Sequence, residues 1–253
     1  MLLTAWPPSC TALHALLHRP PAPCSTAWPS SCALQTTFNM LSGILAPTRG
    51  DAFIMGKSVR RQLRGVQNLM GLCPQHDVLW SELTAHEHLS LFAGLTGLSD
   101  SESSTRIDSF LERVDLSTWR HTPSKKYSGG MKRRLSVANA LIADPKVVYL
   151  DEPTTGMDPV NRRGVWDVIE QAKKGRIIVL TTHAMEEAET LGDRIGIMSR
   201  GRLLCLGSSL HLKSQYGSGY TVDVACPPEV AGAIHGVVQQ HAPAAVNLSL
   251  IHI

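Results

Sequence analysis

Two short apolar runs in the second half of the chain constrain the fold more than any other feature. Residues 147–150 and 177–180 each contain four apolar side chains in succession, without alternation between apolar and polar positions. Such runs are typical of parallel strands that are buried on both faces of a sheet. A helical stretch over about residues 159–174 separates them and supplies the crossover that parallel neighbours need. The sequence therefore predicts an α/β fold with a mostly parallel sheet.

Helical signals dominate the region of about residues 84–143. Thr84 followed three residues later by Glu87 has the pattern of a capping box. Apolar residues then recur at helical spacing (Ile107, Phe110, Leu111 and Val114). We expect this region to form a helical lobe inserted into the sheet domain.

The first 35 residues differ in composition from the rest of the chain. They contain six prolines and three cysteines but a single charged residue, Arg19. They follow neither a helical nor a strand period. The sequence therefore predicts that residues 1–35 are an unrelated, disordered leader and that the folded body begins at Thr36.

The charge balance and the apolar runs exclude two classes of protein. The 24 Lys and Arg residues exceed the 21 Asp and Glu residues by only three, and no dense basic stretch occurs, which argues against nucleic acid as a partner. The longest apolar runs are well short of the roughly 18–20 residues that span a bilayer, so no transmembrane segment is predicted. The six cysteines form no CxxC pair and indicate free thiols.

Polar side chains follow the predicted strands where ligands bind in α/β sheets, at the carboxyl ends. Asp151 offers the hard oxygen that Mg²⁺ prefers, and Glu152 is a candidate general base for an attacking water. His183 is a candidate contact for a terminal phosphate, and Gln75 a candidate ligand or sensor of the metal. Taken singly, each is better explained as a strand cap or a surface residue. Their order along the chain favours a shared site.

A glycine pair begins a helix between Gln75 and Asp151. Ser128 is a suitable N-cap, and Gly129 and Gly130 allow a ligand to approach the backbone. The free N–H groups and partial positive charge of a helix N-terminus suit an anionic phosphate. An ordinary glycine-rich helix start is an equally good explanation of this stretch alone.

In this order the motifs resemble the nucleotide-binding domain of an ATP-binding cassette (ABC) transporter over residues 36 to about 217. The similar segments are a glutamine loop at Gln75, a signature motif at residues 127–131, a Walker B motif at 147–152, a D-loop at 156–158 and a switch histidine at His183. The sequences GLCPQHD, YSGGMKRRLSVA and DEPTTGMDP are similar to the A subfamily of lipid exporters. The fold class is then that of a P-loop NTPase-like sheet with an inserted helical lobe.

The resemblance implies an ATPase that uses ATP and Mg²⁺ to drive lipid transport. Its partners would be a second ABC cassette in a two-fold dimer and the transmembrane domains of a transporter, at the cytoplasmic face of a membrane. Glu152 and His183 would be catalytic, and Asp151, Gln75 and Thr36 would hold the metal. The nucleotide-binding residues would be Gln75, Tyr127, Ser128, Gly129, Gly130, Met131, Asp158, Thr36 and Thr37. Residues 218–253 resemble the truncated start of a regulatory-type domain.

One departure from the family concerns the Gly-rich phosphate loop (Walker A), expected immediately before Thr36 and Thr37. Residues 29–36 read PSSCALQT, with Pro29 and Leu34 in place of glycines and Gln35 in place of lysine. Proline donates no N–H, leucine resists positive φ, and glutamine supplies no positive charge. Losing two charge-assisted hydrogen bonds costs about 3–6 kcal/mol, roughly a hundredfold to ten-thousandfold in affinity. We therefore expect the N-terminal strands and the phosphate loop to be missing, and ATP binding by this chain to be weak.

Three functions remain compatible with these residues. The first is the ATP-hydrolysing cassette of a lipid exporter, here incomplete. The second is a degenerate cassette that binds no ATP alone and acts as a binding or regulatory module for a partner cassette. The third is a soluble ABC protein that takes no part in transport.

Overall fold

The structure is a computed structural model that describes residues 2–5, 30–199 and 201–217, together with residues 230, 233, 237, 240 and 241. The chain divides into two compact units, Met1–Gln215 and Tyr216–Ile253. The predicted leader residues 6–29 and nearly all of the predicted domain at 218–253 lie outside the described residues. Within the described ranges, no helix combines the length and apolar character needed to cross a membrane.

The described residues form eight strands and eight α-helices. The strands are β1 (Leu2–Ala5), β2 (Phe53–Ile54), β3 (Lys57–Ser58), β4 (Met70–Cys73), β5 (Val147–Asp151), β6 (Ile177–Thr181), β7 (Arg194–Ser199) and β8 (Arg202–Gly207). The helices are α1 (Ser30–Leu41), α2 (Leu63–Gln67), α3 (Ala85–Leu95), α4 (Asp100–Arg113), α5 (Gly129–Leu141), α6 (Pro159–Ala172), α7 (Met185–Leu191) and α8 (Ser209–Tyr216), and two short 3₁₀ turns lie at Ser117–Trp119 and Ser124–Lys126.

The centre of the main sheet confirms the predicted parallel strands. The sheet has the order β4-β5-β6-β1-β7-β8, and β5 pairs in parallel with both β4 and β6. All residues of β5 and β6 are buried, because alternate side chains of each strand enter two separate cores. The register places Asp151 beside Thr181, so the polar ends of β5 and β6 reach one edge of the sheet together.

Helix α1 covers one face of this sheet, and the larger core lies on the other. Phe38 of α1 packs edge-on against Tyr149 of β5, with ring centroids 5.7 Å apart. On the opposite face, α5 approaches β4 so closely that a Cβ on Gly71 would lie 1.9 Å from the carbonyl oxygen of Ala140. Glycine at this position therefore allows α5 to lie directly over the strand that leads to Gln75.

The N-terminal residues differ from the predicted disordered leader. β1 lies between β6 and β7 and is antiparallel to both, with Leu2 opposite Thr181 and Ala5 opposite Ile178. The backbone of β1 forms hydrogen bonds with N–H and C=O groups of β6 and β7 that would otherwise lack partners in the sheet. This pairing explains why the short apolar segment joins the sheet. Because it runs against β6, β1 begins at the edge that carries the polar strand ends and leads away from it.

The helical lobe begins as the sequence predicts. Thr84 Oγ1 accepts a hydrogen bond from the backbone of Glu87 at 3.2 Å, and the Glu87 carboxylate accepts one from Thr84 N at 2.8 Å. This capping box confirms the start of α3. Apolar residues of α3, α4 and α5 then share the larger core, which fixes the lobe against the sheet.

Candidate functional site

The carboxylate of Glu152 is held between Gln75 and His183. Gln75 Nε2 donates to Glu152 Oε2 at 3.0 Å, and Thr155 Oγ1 donates to the same oxygen at 3.0 Å. His183 Nδ1 lies 3.4 Å from Glu152 Oε1. Only 16% of the Glu152 side chain is exposed, against 69% for His183. The ends of β4, β5 and β6 thus bring three sequence-predicted residues into one group.

The backbone of Glu152 turns out of the strand in a left-handed conformation. Its φ is +45°. This backbone conformation is unfavourable for residues other than glycine and costs about 1–2 kcal/mol. Its N–H donates to both the carbonyl and the hydroxyl oxygen of Thr181, at 3.0 and 3.1 Å. β5 ends at Asp151, as expected from the sequence, and this turn allows adjacent acids to reach the same edge.

Asp151 presents a carboxylate oxygen that is suited to a metal ion. Its side chain is buried, and Oδ1 accepts a hydrogen bond from Thr181 Oγ1. Oδ2 is buried and has no hydrogen-bond donor among the described residues. The described side chains contain no cluster of three or more ligating His, Cys, Asp or Glu residues. Mg²⁺ commonly binds one or two carboxylates and takes its other ligands from phosphates and water, so a single Asp151 oxygen fits it.

A cleft of about 350 Å³ adjoins this group of residues. Its walls come from the segment after β4, the start of α5 and the turn between β5 and α6. The residues that line it include Gln75, Asp77, Ser128, Gly129, Gly130, Arg133, Thr155, Met157 and Asp158. Gln75, the glycine pair and Asp158, which are far apart in the sequence, therefore share one cavity.

The start of α5 forms one wall of the cleft. Ser128 Oγ accepts a hydrogen bond from Met131 N at 3.3 Å and caps the helix, as the sequence predicts. A Cβ on Gly130 would lie 2.9 Å from Asn161 Cγ, whereas a Cβ on Gly129 would meet no atom within 4 Å. Gly130 is thus required for packing against α6, and Gly129 leaves the first turn of α5 open to a ligand.

Asp158 caps α6 at the opposite wall. Its carboxylate accepts hydrogen bonds from Val160 N at 3.1 Å, from Asn161 N at 3.0 Å and from the Asn161 side chain. The hydrogen bond from the Asn161 side chain is the main reason why the pKa of Asp158 is lowered. The ionised form of Asp158 therefore holds the turn that borders the cleft.

Four predicted binding residues are not brought to this cleft. The ring of Tyr127 is buried in the lobe, where its hydroxyl donates to Trp119 O at 2.8 Å. Met131 packs against the larger core. Thr36 and Thr37 lie in α1 and are half-buried, outside the residues that line the cavity. α1 begins at Ser30, so residues 30–35 are helical where the resemblance implies a phosphate loop.

Arg133 is a residue of the site that the motif pattern did not identify. It lines the inner wall of the cleft, is 5% exposed, and donates to backbone carbonyl groups on both sides of Glu152. Val137 and Ala140, four and seven positions later, are buried, so helical spacing places Arg133 on the core face of α5. This spacing is the sequence pattern from which its burial could have been predicted. A charged residue on such a face requires polar partners inside the fold.

A sheet with parallel central strands, whose ends group an amide, two acids and a histidine beside a glycine-led helix, has the arrangement of an ATP-binding cassette. A family profile described as ABC transporter matches residues 35–155. A solved ATP-binding subunit of an ABC transporter is 29% identical, has a TM-score of 0.65, and covers 72% of this chain and 77% of its own. The dimeric post-hydrolysis state of the ATP-binding cassette MJ0796, bound to ADP and Pi, shares the fold at 22% identity, with a TM-score of 0.64, 71% of this chain and 82% of that chain.

Comparison with curated relatives indicates the subfamily of ATP-binding cassettes that this chain resembles. ABC transporter A family member 2 of Arabidopsis thaliana is 50% identical over 198 residues, which cover 78% of this chain and 20% of that protein. The phospholipid-transporting ATPase ABCA3 of Rattus norvegicus is 46% identical over 215 residues, which cover 83% of this chain and 12% of that protein. Residues 35–155 form an ABC transporter domain, and the chain is similar to the ATP-binding cassettes of the A subfamily. It spans about one-fifth of the length of its A-family relatives from Arabidopsis thaliana.

Proposed function

We propose that this cassette couples ATP binding and hydrolysis to lipid movement in a transporter of the A subfamily. The observation that carries the proposal is the position of the Glu152 carboxylate, between Gln75 Nε2 at 3.0 Å and His183 Nδ1 at 3.4 Å. A carboxylate, an amide and an imidazole at the end of a buried strand are the groups that orient a water for attack on a phosphate.

Glu152 is the general base of the proposed reaction. A water attacks the γ-phosphorus of ATP, its proton passes to Glu152, and the bond from phosphorus to the β,γ-bridging oxygen breaks to release ADP and phosphate. Oε1 suits the role of proton acceptor, because Gln75 and Thr155 both donate to Oε2. His183, whose side chain is 69% exposed, is free to turn toward the terminal phosphate.

Asp151 would hold Mg²⁺ through the buried oxygen Oδ2. The ion, when bound, would neutralise charge on the phosphate oxygens. The hydrogen bond from Thr181 to Oδ1 fixes the carboxylate so that Oδ2 is the oxygen left for a ligand. Gln75 would be a further metal ligand through its amide oxygen Oε1, because its amide nitrogen donates to Glu152.

Ser128, Gly129 and Gly130 would bind the nucleotide of a second cassette in a two-fold dimer. The space around Gly129 supports this role, since a phosphate can reach the first turn of α5 without displacing a side chain. The transmembrane domains of the transporter and its lipid substrate are the further partners of the complete protein. The proposed location is the cytoplasmic face of its membrane.

A second candidate function rests on α1. Residues 30–35 lie in this helix instead of in a loop, and Gln35 supplies no positive charge for the phosphates. The chain would then bind ATP weakly by itself and act as a module that supplies Ser128, Gly129 and Gly130 to a competent partner cassette. The two functions differ in which acid receives the proton, namely Glu152 or the corresponding acid of the partner.

ATP turnover in a mixture of this chain with a nucleotide-competent A-subfamily cassette separates the two candidates. If this chain hydrolyses ATP, Glu152→Gln lowers turnover at the site of this chain by at least about a hundredfold. If it is only a module, Glu152→Gln leaves turnover unchanged, whereas Gly129→Asp abolishes it because a carboxylate then faces the phosphate. Turnover that neither substitution affects would contradict both candidates.

A further inference from the structure

The buried guanidinium of Arg133 supports the turn that carries Glu152. Nη2 donates to the carbonyl oxygens of Asp151 at 2.7 Å and Glu152 at 3.0 Å, and Nε donates to that of Pro153 at 2.7 Å. Two of these carbonyl groups flank Glu152 and the third is its own, and Glu152 has a left-handed backbone. A conformation of this kind persists only where its surroundings enforce it. Arg133 is the side chain that contacts all three of its carbonyl groups.

The same guanidinium also holds the segment that follows β4. Nη1 donates to the carbonyl oxygens of Pro74 at 2.6 Å and Gln75 at 3.2 Å, and lies 3.4 Å from Asp77 Oδ1. Ser136, three positions after Arg133 on α5, donates to Asp77 Oδ1 at 3.0 Å. Arg133 thus holds the backbone carbonyl groups of Pro74 and Gln75, and Arg133 and Ser136 both contact the carboxylate of Asp77.

We propose that Arg133 is a positioning residue that fixes Gln75 and Glu152 relative to each other and links both to the glycine-led start of α5. Arg133 lies three positions after Gly130, so a shift of the first turn of α5 moves the donor of five carbonyl hydrogen bonds. A group that binds at Ser128 and Gly129 would thereby change the position of Glu152. This inference rests on the proposed function for its consequence in turnover, but the contacts can be tested without nucleotide.

Arg133→Lys is the informative substitution. Lysine retains the positive charge, but its single ammonium group cannot replace the planar fork that spans the two loops. Arg134→Ala is the matched control, because the neighbouring Arg134 pairs at 3.2 Å with Asp115, whose side chain is 91% exposed. The primary measurement is amide hydrogen exchange of the nucleotide-free chain, followed at residues 75–78, at residues 151–155 and in the buried strand β6.

We expect Arg133→Lys to speed exchange at both loops by about tenfold while β6 exchanges as in the unmodified chain. Arg134→Ala leaves both loops unchanged. Unchanged exchange at either loop in Arg133→Lys, or an equal increase in β6, would overturn the proposal, because the residue would then act on one loop only or on global stability.

Turnover with the partner cassette is the second measurement. A misplaced base lowers kcat by about tenfold or more and leaves KM within about twofold. A raised KM with unchanged kcat would also overturn the proposal. If the unmodified chain shows no turnover at all, the proposed function fails, and the exchange experiment still decides the role of Arg133.

Discussion

Gln75 and Glu152 are 77 positions apart in the chain, and their side chains are joined by a hydrogen bond of 3.0 Å from Nε2 to Oε2. The bond connects the segment after β4 to the end of β5, and it forms because these neighbouring strands are parallel and end at the same edge of the sheet. It also restricts the rotamers of Glu152, whose backbone already has a positive φ of 45°. The carboxylate is therefore held from both sides, by its own turn and by a residue from a different segment.

We predict that Gln75→Ala lowers ATP turnover of the paired cassette by about tenfold to a hundredfold without changing its KM. The reason is that a base displaced by even about 1 Å loses much of its effect. Steady-state kinetics of the variant provide the measurement. The control is Gln67→Ala at the exposed end of α2, which should match the unmodified chain. An equal loss in both variants would contradict a role for the hydrogen bond.

A buried carboxylate behind the site gives a prediction about stability. Glu187 is 1% exposed, and its Oε1 accepts hydrogen bonds from Thr154 Oγ1 at 2.8 Å and Trp166 Nε1 at 3.1 Å. Glu187→Ala leaves two buried donors unpaired, so we expect the free energy of unfolding to fall by about 2–5 kcal/mol. Glu187→Gln keeps an acceptor oxygen and should lose less than half as much.

Urea unfolding followed by tryptophan fluorescence measures both variants. Glu186→Ala is the matched control, since its 68% exposed side chain makes only a surface ion pair with Arg162 at 3.6 Å. Such a pair contributes at most about 1 kcal/mol. The role assigned to Glu187 is wrong if Glu187→Ala and Glu186→Ala unfold at the same urea concentration.

The parts of the fold that were predictable from the sequence are those that local patterns determine. Four consecutive apolar residues gave β5 and β6, and the Thr84 and Glu87 pair gave the start of α3. The grouping of Gln75, Glu152 and His183 followed from the rule that parallel strands end at one edge. Each of these inferences needed only neighbouring residues or one topological rule.

The features that sequence reasoning did not reach depend on tertiary contacts. β1 joins the sheet because β6 and β7 provide hydrogen-bond partners for its backbone. The composition of the N-terminal region, which is rich in proline and has no acidic residue, does not indicate this pairing. Tyr127 belongs to a motif that resembles a ligand-binding one, yet the packing of the lobe buries its ring. The hydrogen-bond partners of Arg133 are mostly backbone carbonyl groups. Every residue has such a group, so the sequence cannot indicate which of them Arg133 contacts.

The two glycines at the start of α5 form a natural pair of variants. A Cβ on Gly130 would lie 2.9 Å from Asn161 Cγ, and Asn161 is itself bonded to Asp158, so it cannot move without breaking the cap of α6. We expect Gly130→Ala to lower the free energy of unfolding by about 1–3 kcal/mol. Gly129→Ala meets no atom within 4 Å and should leave stability unchanged or raise it by up to about 0.5 kcal/mol. Thermal unfolding of both variants decides, and equal effects would refute this packing.

The last prediction concerns pH and the buried ring of His88. Its Nε2 accepts a hydrogen bond from Trp80 N at 3.0 Å, so the ring is neutral, and Nδ1 is the nitrogen that donates to Thr84 O at 2.8 Å. Burial lowers the pKa of His88 below its usual value of 6.5. The unfolded chain therefore binds the proton more readily than the folded one. The stability that His88 contributes is present above pH 6.5 and is lost as pH falls through the lower folded pKa.

Thermal unfolding between pH 8 and pH 5 tests this prediction with His88→Gln, which removes the titrating group. The unmodified chain should lose Tm relative to the variant as pH falls below about 6.5. Carboxyl groups with a lowered pKa, such as Asp144 beside the guanidinium of Arg176, act at lower pH and are common to both proteins. His76→Gln, at an exposed position, controls for the loss of one imidazole. A Tm difference between the unmodified chain and His88→Gln that stays constant over this range would show that protonation of His88 is not linked to folding.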